Sequence, residues 1–203
     1  MKINIFQTEE DWTKAATDFI KSKNPQTIAL SGGSTPGNIY HALAKSINGD
    51  EIFYQVDERY IPKDHPDSNY KMIQETLQKP CHHFDTSLPI EEALEKYAKE
   101  LPSQFDICIL GIGPDGHTAS LFPNTHETQE PTQHTTTNEF PIHDRLTITF
   151  PTILKSKTLI VLLKNKTEII TELQNPTKTP KEFPALKLLK HPNLQIFSLT
   201  NLQ

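Results

Sequence analysis

The segment SGGSTPG, at residues 31–37, combines the residue types that suit the binding of a phosphate group. The chain has only seven glycines, and Gly32 and Gly33 stand side by side here, between Ser31 and Ser34. Adjacent glycines let main-chain N–H groups approach an anion closely, and hydroxyls add further donors. The alternative is a tight strand-to-helix turn that needs glycine for steric reasons alone. The GxxxxGK[ST] pattern of nucleotide hydrolases is absent, so the segment indicates phosphate binding without nucleotide hydrolysis.

Arginine occurs only twice in this chain, against eighteen lysines, at Arg59 and Arg145. A planar guanidinium binds phosphate or carboxylate through two parallel hydrogen bonds, which a lysine cannot do. Arg59 ends the run DER, so Asp57 and Glu58 either position a substrate or hold the arginine. The competing interpretation is a surface ion pair, which contributes little to stability. The rarity of arginine favours a functional role for Arg59.

The segment GIGPDGHTASLFP, at 111–123, follows a strongly apolar run and offers a histidine as a proton acceptor. Small residues flank His117, and Asp115 precedes it by two positions. Imidazole titrates near neutrality, so His117 can take a proton from an attacking water. One alternative is a structural histidine. Another, from the GxGxxG spacing, is a dinucleotide site, but the helix and the acidic strand end that such a site requires do not follow here. No GxSxG signature is present, so direct attack by water is predicted.

Segments of strand and helix periodicity alternate along the chain. They predict an α/β protein, a Rossmann-like three-layer sandwich with a mainly parallel sheet. In such a sheet, ligands bind beyond the carboxyl ends of the strands, so the glycine, DER and histidine segments should meet at one edge. The predicted strands are 2–6, 27–31, 51–59, 105–113, 145–150, 158–163 and 194–199, and the predicted helices are 9–23, 36–46 (N-cap Thr35), 68–77, 89–100 and 165–173.

A long Thr-rich segment at 124–144 interrupts this alternation and is predicted as a loop. Loops of this length inside a compact domain are usually functional or disordered. Its three histidines, His126, His134 and His143, lack the spacing and the partners of a metal site. We therefore expect them to be solvated and predict no metal.

The composition limits the classes of protein to which the chain can belong. With 203 residues, a net charge of −5 and a mean hydropathy of −0.52, it is predicted to form one globular domain over 1–203. Neither an apolar run of 18 residues nor a secretory leader is present, and the basic residues are scattered. We therefore expect no membrane and no nucleic-acid partner. Two cysteines are too few for a disulfide framework, so a reducing cytoplasm is expected, with Cys108 in the core.

Three segments in this order, LSGGSTP, VDERYIPKDHPDSNY and GIGPDGHTASLFP, resemble the signature blocks of the 6-phosphogluconolactonase family. That family belongs with the glucosamine-6-phosphate deaminase/isomerase group. RLTITFP at 145–151, Lys166 and the pair Pro184–Ala185 are similar to its later blocks. The resemblance implies hydrolysis of 6-phospho-D-glucono-1,5-lactone to 6-phospho-D-gluconate, the second step of the oxidative pentose phosphate pathway. It implies an enzyme without a cofactor, and we expect a monomer.

By position, the resemblance makes His117 the general base and Asp115 the residue that orients it. Lys164 competes with Lys166 for the role of the family's lysine, because the glycine that usually precedes that lysine is absent here. The residues predicted to bind the substrate and its phosphate are Ser31, Gly32, Gly33, Ser34, Asp57, Arg59, Arg145 and Lys166.

Three other functions stay open at this point. A glucosamine-6-phosphate deaminase or isomerase needs a carboxylate base near C2, for which Asp57 is available, although the residues after DER and DGH resemble the lactonase. A catalytically silent sugar-phosphate-binding domain need not keep both His117 and Asp115. An NAD-dependent oxidoreductase rests on the GxGxxG spacing alone.

Overall fold

Seven parallel strands form the main sheet of the protein, in a computed structural model that describes residues 1–47 and 49–200. Every neighbouring pair of strands is parallel, as predicted. From edge to edge the strands are β1 (Lys2–Phe6), β10 (Leu194–Leu199), β9 (Thr158–Lys164), β6 (Ile107–Leu110), β2 (Thr27–Leu30), β3 (Ile52–Gln55) and β5 (Cys81–His82).

Helices cover both faces of the main sheet, which confirms the predicted three-layer sandwich. Successive strand residues point to opposite faces, and this alternation separates two cores. In β2, Ile28 and Leu30 belong to the core shared with the first three helices, whereas Ala29 belongs to the core shared with α4 and α6. The helices are α1 (Glu9–Ser22), α2 (Gly37–Ala44), α3 (Asn69–Leu77), α4 (Ile90–Glu100), α5 (Phe150–Leu154), α6 (Thr167–Gln174) and a 3-10 helix (Pro184–Lys190).

A second, antiparallel sheet of three strands was not predicted from the sequence. Its order is β4 (Asp57–Arg59), β8 (Asp144–Ile148), β7 (Thr132–Thr136). The single strand predicted at 51–59 is therefore wrong, because Val56 divides it. The N–H of Val56 donates to Leu30 O in the main sheet (2.9 Å), and its C=O accepts from Ile148 N in the second (2.9 Å). One residue thus moves the chain between sheets and places DER on the smaller one.

The Thr-rich segment is partly a strand, so its prediction as a loop is wrong over β7. β-Branched threonine suits a half-buried strand, and this explains the outcome. Thr135 Oγ1 donates to Ser120 O at 2.7 Å and fixes the segment beside the histidine turn. The next strand, predicted to reach Phe150, ends at Ile148, because Phe150 starts α5 with a proline in its first turn.

Both cysteines are buried and free of disulfide bonds, and Cys108 lies in the core as predicted. Burial raises the pKa of the Cys81 thiol to about 12, so that residue is not a thiolate near neutral pH. In the parts of the chain that the structure describes, no helix has the length and apolar character needed to cross a bilayer.

Candidate active site

An open cleft of about 390 Å³ lies between the carboxyl edge of the main sheet and the small sheet. Such positions are where open α/β sheets bind ligands. Asp115 contacts His117 and does not itself line the cleft. The other nine residues predicted from the sequence line it: Ser31, Gly32, Gly33, Ser34, Asp57, Arg59, His117, Arg145 and Lys166.

The glycine loop, residues 31–35, leaves β2 and enters the cleft. Ser31 N donates to Ile109 O at 3.1 Å, so the loop begins as an extension of the sheet. Gly33 has a φ of +87°, a conformation that glycine adopts without strain. Helix α2 then begins without a side-chain N-cap, so the predicted capping role of Thr35 is wrong, and Thr35 lines the cleft instead.

Glu58 is a buried structural carboxylate, not an ion-pair partner of the Arg59 guanidinium. Its oxygens accept hydrogen bonds of 2.7–3.0 Å from Gln55 Nε2, Ser68 Oγ, and the main-chain N–H groups of Arg59, Asn69 and Tyr70. The positive N-terminal end of α3 stabilises this negative charge. Glu58 thereby joins β4 to α3, while Arg59 Nη1 donates to Asp67 O at 2.5 Å.

Asp57 is also buried, yet it lines the cleft. Its Oδ2 accepts a hydrogen bond from Ser120 Oγ at 2.6 Å. Ser120 was not singled out in the sequence analysis, although it lies within the histidine segment. The bond links the small sheet to that segment.

The two arginines of the chain are neighbours across strands, since Arg59 pairs with Arg145 in the β4–β8 ladder. Arg145 is 5% exposed, and its Nε has no hydrogen-bond partner within residues 1–47 and 49–200. Burial, and secondly the charge of Arg59, lower the pKa of Arg145 below its ordinary value. A buried guanidinium whose Nε has no hydrogen-bond partner, beside a second cation, favours the binding of an anion.

Lys166, and not Lys164, is the lysine of the cleft. Its Nζ donates to Ile112 O at 2.5 Å, and burial lowers its pKa although Glu168 and Asp115 oppose that shift. Lys164 instead forms an ion pair with Glu9 at 3.0 Å. Asn165, between the two lysines, has a φ of +54°, so an asparagine adopts here the left-handed conformation that favours glycine.

His117 and Asp115 form a close pair on a tight turn. His117 Nδ1 lies 2.5 Å from Asp115 Oδ1, and the main-chain N–H of His117 donates to the same oxygen at 3.1 Å. Burial raises the pKa of Asp115, but the hydrogen bond and charge of His117 outweigh burial, and the resulting pKa lies below its ordinary value. A Cβ at Gly113 would collide with the imidazole. Since Nδ1 is engaged, Nε2 is the nitrogen that stays available for chemistry.

The pair Pro184–Ala185 contacts the turn that carries His117. Ala185 N donates to Gly116 O at 2.9 Å, and Gly116 itself has a φ of +83°. A Cβ at Gly116 would meet the ring of Phe183. The C-terminal residues that resemble the family's later block therefore contact the histidine turn through the main chain.

Two aromatic rings beside His117 were missed by the sequence analysis. Phe122 and Phe140 have ring centroids 4.9 Å and 5.6 Å from that of His117. The guanidinium of Arg145 lies 5.8 Å from the centroid of the Phe140 ring. Phe140 is the one aromatic residue of the Thr-rich segment, which was the available signal.

No group of three or more His, Cys, Asp and Glu side chains suited to a metal ion occurs among the described residues. Of the three histidines of the Thr-rich segment, His126 and His143 are exposed, as expected. His134 is half-buried and its Nε2 lies 2.7 Å from Asp144 Oδ1, so the expectation that it is solvated is wrong.

Comparison with known proteins relates the whole cleft to one family. A family model described as glucosamine-6-phosphate isomerases/6-phosphogluconolactonase matches residues 5–196. A 6-phosphogluconolactonase of Thermotoga maritima is 37% identical over 179 residues, which cover 81% of this chain and 81% of that protein. A Dictyostelium discoideum protein named as a probable 6-phosphogluconolactonase is 36% identical over 205 residues, covering 89% and 87%.

A solved structure extends the likeness to three dimensions. The crystal structure of 6-phosphogluconolactonase from Thermotoga maritima matches with a TM-score of 0.85 at 31% identity. The match covers 98% of this chain and 100% of that one. The structural similarity therefore extends over nearly the whole of both chains.

Proposed function

This chain belongs to the glucosamine-6-phosphate isomerase/6-phosphogluconolactonase family, and we infer that it is an enzyme that hydrolyses 6-phospho-D-glucono-1,5-lactone to 6-phospho-D-gluconate. This reaction is the second step of the oxidative pentose phosphate pathway. The observation that carries the inference is the arrangement of the cleft. A histidine–carboxylate pair opens onto the same cavity as three cationic side chains, Arg59, Arg145 and Lys166.

We propose that His117 is the general base. With Nδ1–H donating to Asp115, Nε2 carries the lone pair that accepts a proton from water. The water oxygen forms a bond to C1 of the lactone while its proton passes to Nε2. The bond between C1 and the ring oxygen then breaks, and the proton on Nε2 passes to that oxygen. The product carries a carboxyl group at C1 and a hydroxyl at C5, and His117 returns to its neutral form.

Asp115 has two roles in this proposal. Its hydrogen bond selects the tautomer in which Nε2 is unprotonated, and its negative charge stabilises the imidazolium formed during attack. Because the pKa of Asp115 lies below its ordinary value, the carboxylate stays ionised near neutral pH.

We propose that the phosphate binds between the glycine loop and the small sheet. The loop offers main-chain N–H groups and the hydroxyls of Ser31 and Ser34, while Arg59 and Arg145 face it from the neighbouring strands. Lys166 adds a third positive charge from the N-cap position of α6. Asp57, held by Ser120, is suited to accept hydrogen bonds from sugar hydroxyls.

The test is an assay of lactone loss. The lactone is generated from glucose 6-phosphate by its dehydrogenase, and its disappearance is followed at slightly acidic pH, where spontaneous hydrolysis is slow. The protein should accelerate the loss. If it does not, ammonia release from glucosamine 6-phosphate separates the deaminase, with Asp57 as base, from a silent sugar-phosphate binder.

We further propose that the protein acts as a monomer in a reducing cytoplasm. Both cysteines are free and buried, which suits a reducing compartment. Sedimentation of the protein at assay concentration tests the first point, since a dimer would contradict it.

A further inference from the structure

Asn69 is a buried residue that lines the cleft and has no part in the proposed reaction. It is 2% exposed and occupies the first position of α3. Its Nδ2 donates to Asp57 O at 2.8 Å. Its Oδ1 is buried and has no hydrogen-bond partner in the described part of the chain. A buried amide oxygen without a partner is unfavourable, so its retention needs an explanation outside stability.

Gly32, in the glycine loop, lies in close contact with the Asn69 side chain. A Cβ at Gly32 would collide with Oδ1, Cγ and Cβ of Asn69. The φ of Gly32 is not in the left-handed region, unlike that of Gly33. Gly32 is therefore needed for close approach, whereas Gly33 is needed for its backbone conformation. The Asn69 side chain fills the space between the glycine loop and the main chain of β4.

Glu58 fixes the position of Asn69 at the start of α3. Its carboxylate accepts from the main-chain N–H groups of Asn69 and Tyr70, both at 2.8 Å, and from Ser68 Oγ at 3.0 Å. The same carboxylate accepts from the N–H of Arg59 at 2.7 Å. The start of α3 and the arginine strand are thus held by one buried group.

We propose that Asn69 is a positioning residue that sets the separation between the glycine loop and the Asp57–Arg59 strand, so that one phosphate contacts both. Glu58 anchors it, and Gly32 lacks a side chain because Asn69 occupies that space. The inference rests on the phosphate site proposed above. It concerns the affinity for the phosphorylated substrate, and not the proton transfer at His117, which lies on another segment.

A double-mutant cycle between the two contacting residues tests this proposal. Asn69→Gly, Gly32→Ala and the combined variant are compared for binding of 6-phospho-D-gluconate by calorimetry and for kcat and KM. Asn69→Gly should weaken binding about tenfold, as expected for one lost interaction of hydrogen-bond size, with kcat within about threefold of wild type. Gly32→Ala should weaken binding at least as much.

The combined variant is the decisive measurement. If the two residues act through their contact, Gly32→Ala should change affinity less than about threefold when Asn69 is already Gly, because the three nearest atoms that the new Cβ would strike are then gone. Multiplication of the two single effects would overturn the proposal. If Asn69→Gly fails to fold, Asn69→Ala removes the amide while keeping Cβ, and the same loss of affinity is expected.

Asn193→Gly is the matched control, because Asn193 Nδ2 also donates to a main-chain carbonyl, Lys157 O at 3.0 Å, away from the cleft. It should lower the Tm without changing affinity. The same pattern in Asn69→Gly would make Asn69 merely structural. A wild type that binds 6-phospho-D-gluconate without hydrolysing the lactone would refute the lactonase alone. A wild type that binds neither this compound nor inorganic phosphate would refute the positioning role as well.

Discussion

The two halves of the cleft are assembled in different ways. The half that holds the proposed base is local: Asp115 and His117 are two residues apart, and Gly113 N donates to His117 O at 2.8 Å to close the turn. The cationic half consists of Arg59, Arg145 and Lys166, which come from three segments far apart in the sequence. One half is a property of a short segment, and the other exists only after both sheets have formed.

The halves also differ in their relation to stability. On the base side, His117 and Asp115 satisfy each other, and the pKa of Asp115 is lowered. On the cationic side, the pKa values of both Arg145 and Lys166 are lowered by burial, so folding disfavours their charges. The comparison teaches that this protein retains unfavourable charge on the side where we propose that an anion binds, and a hydrogen-bonded pair on the side where we propose that a proton moves.

The largest effect is expected on the base side. His117→Ala should reduce kcat by a factor on the order of 10²–10⁴, the range for a lost general base, with KM changed little. His126→Ala, an exposed histidine outside the cleft, is the control and should keep full activity. An unchanged kcat in His117→Ala would remove the assigned role.

A smaller loss should follow from Asp115→Asn, which keeps the shape of the side chain but not its charge. We expect kcat to fall by a factor on the order of 10 or more, because the imidazolium loses its stabilising partner. A larger effect on KM than on kcat would place Asp115 on the binding side instead.

The same variant gives a pH dependence of stability. Because the pKa of Asp115 is lowered in the folded protein, its contribution is fully present above its ordinary value of 3.8 and is lost as the pH falls through the lower folded value. The Tm difference between wild type and Asp115→Asn should therefore shrink as the pH falls below about 4. A difference that grows in acid would contradict the assigned direction.

The two lysines near the start of α6 offer a matched pair on the cationic side. Lys166→Met should raise KM about tenfold by removing a charge from the cleft, with kcat less affected. Lys164→Met removes an equal charge two residues away, but from a half-exposed ion pair with Glu9, and should leave KM unchanged. Equal effects of the two substitutions would mean that general electrostatic attraction, not a contact of Lys166, decides affinity.

The smallest expected effect combines weaker substrate binding with a more stable protein. Arg145→Met should raise KM several-fold and raise the Tm by about 2–4 °C, the shift that about 1 kcal/mol produces in a chain of this size. The gain arises because a buried cation disfavoured by burial and by Arg59 is replaced by an apolar side chain. A lower Tm, measured by calorimetry, would show that Arg145 stabilises the empty protein and would break the contrast between the halves.

The sequence by itself determined the elements whose signals are local. The strand and helix periods of β2, β6 and β9 and of α1 and α4 predicted a parallel sheet covered on both faces, because each period reports which faces are buried. The spacing of Asp115 and His117 predicted that the two side chains pair, since a turn of that length needs no distant contact to bring them together.

Only the tertiary structure decided the remainder. Val56 carries the chain into a second sheet through hydrogen bonds to residues far away in sequence, and no local pattern reports such pairing. The choice of Lys166 over Lys164 depended on which side chain faces the cleft at the end of β9. Glu58 and Phe140 likewise derive their roles from partners that the fold supplies. Periodicity and turn chemistry are short-range properties, whereas the meeting of the glycine loop, the paired arginines and the lysine requires the complete sheet.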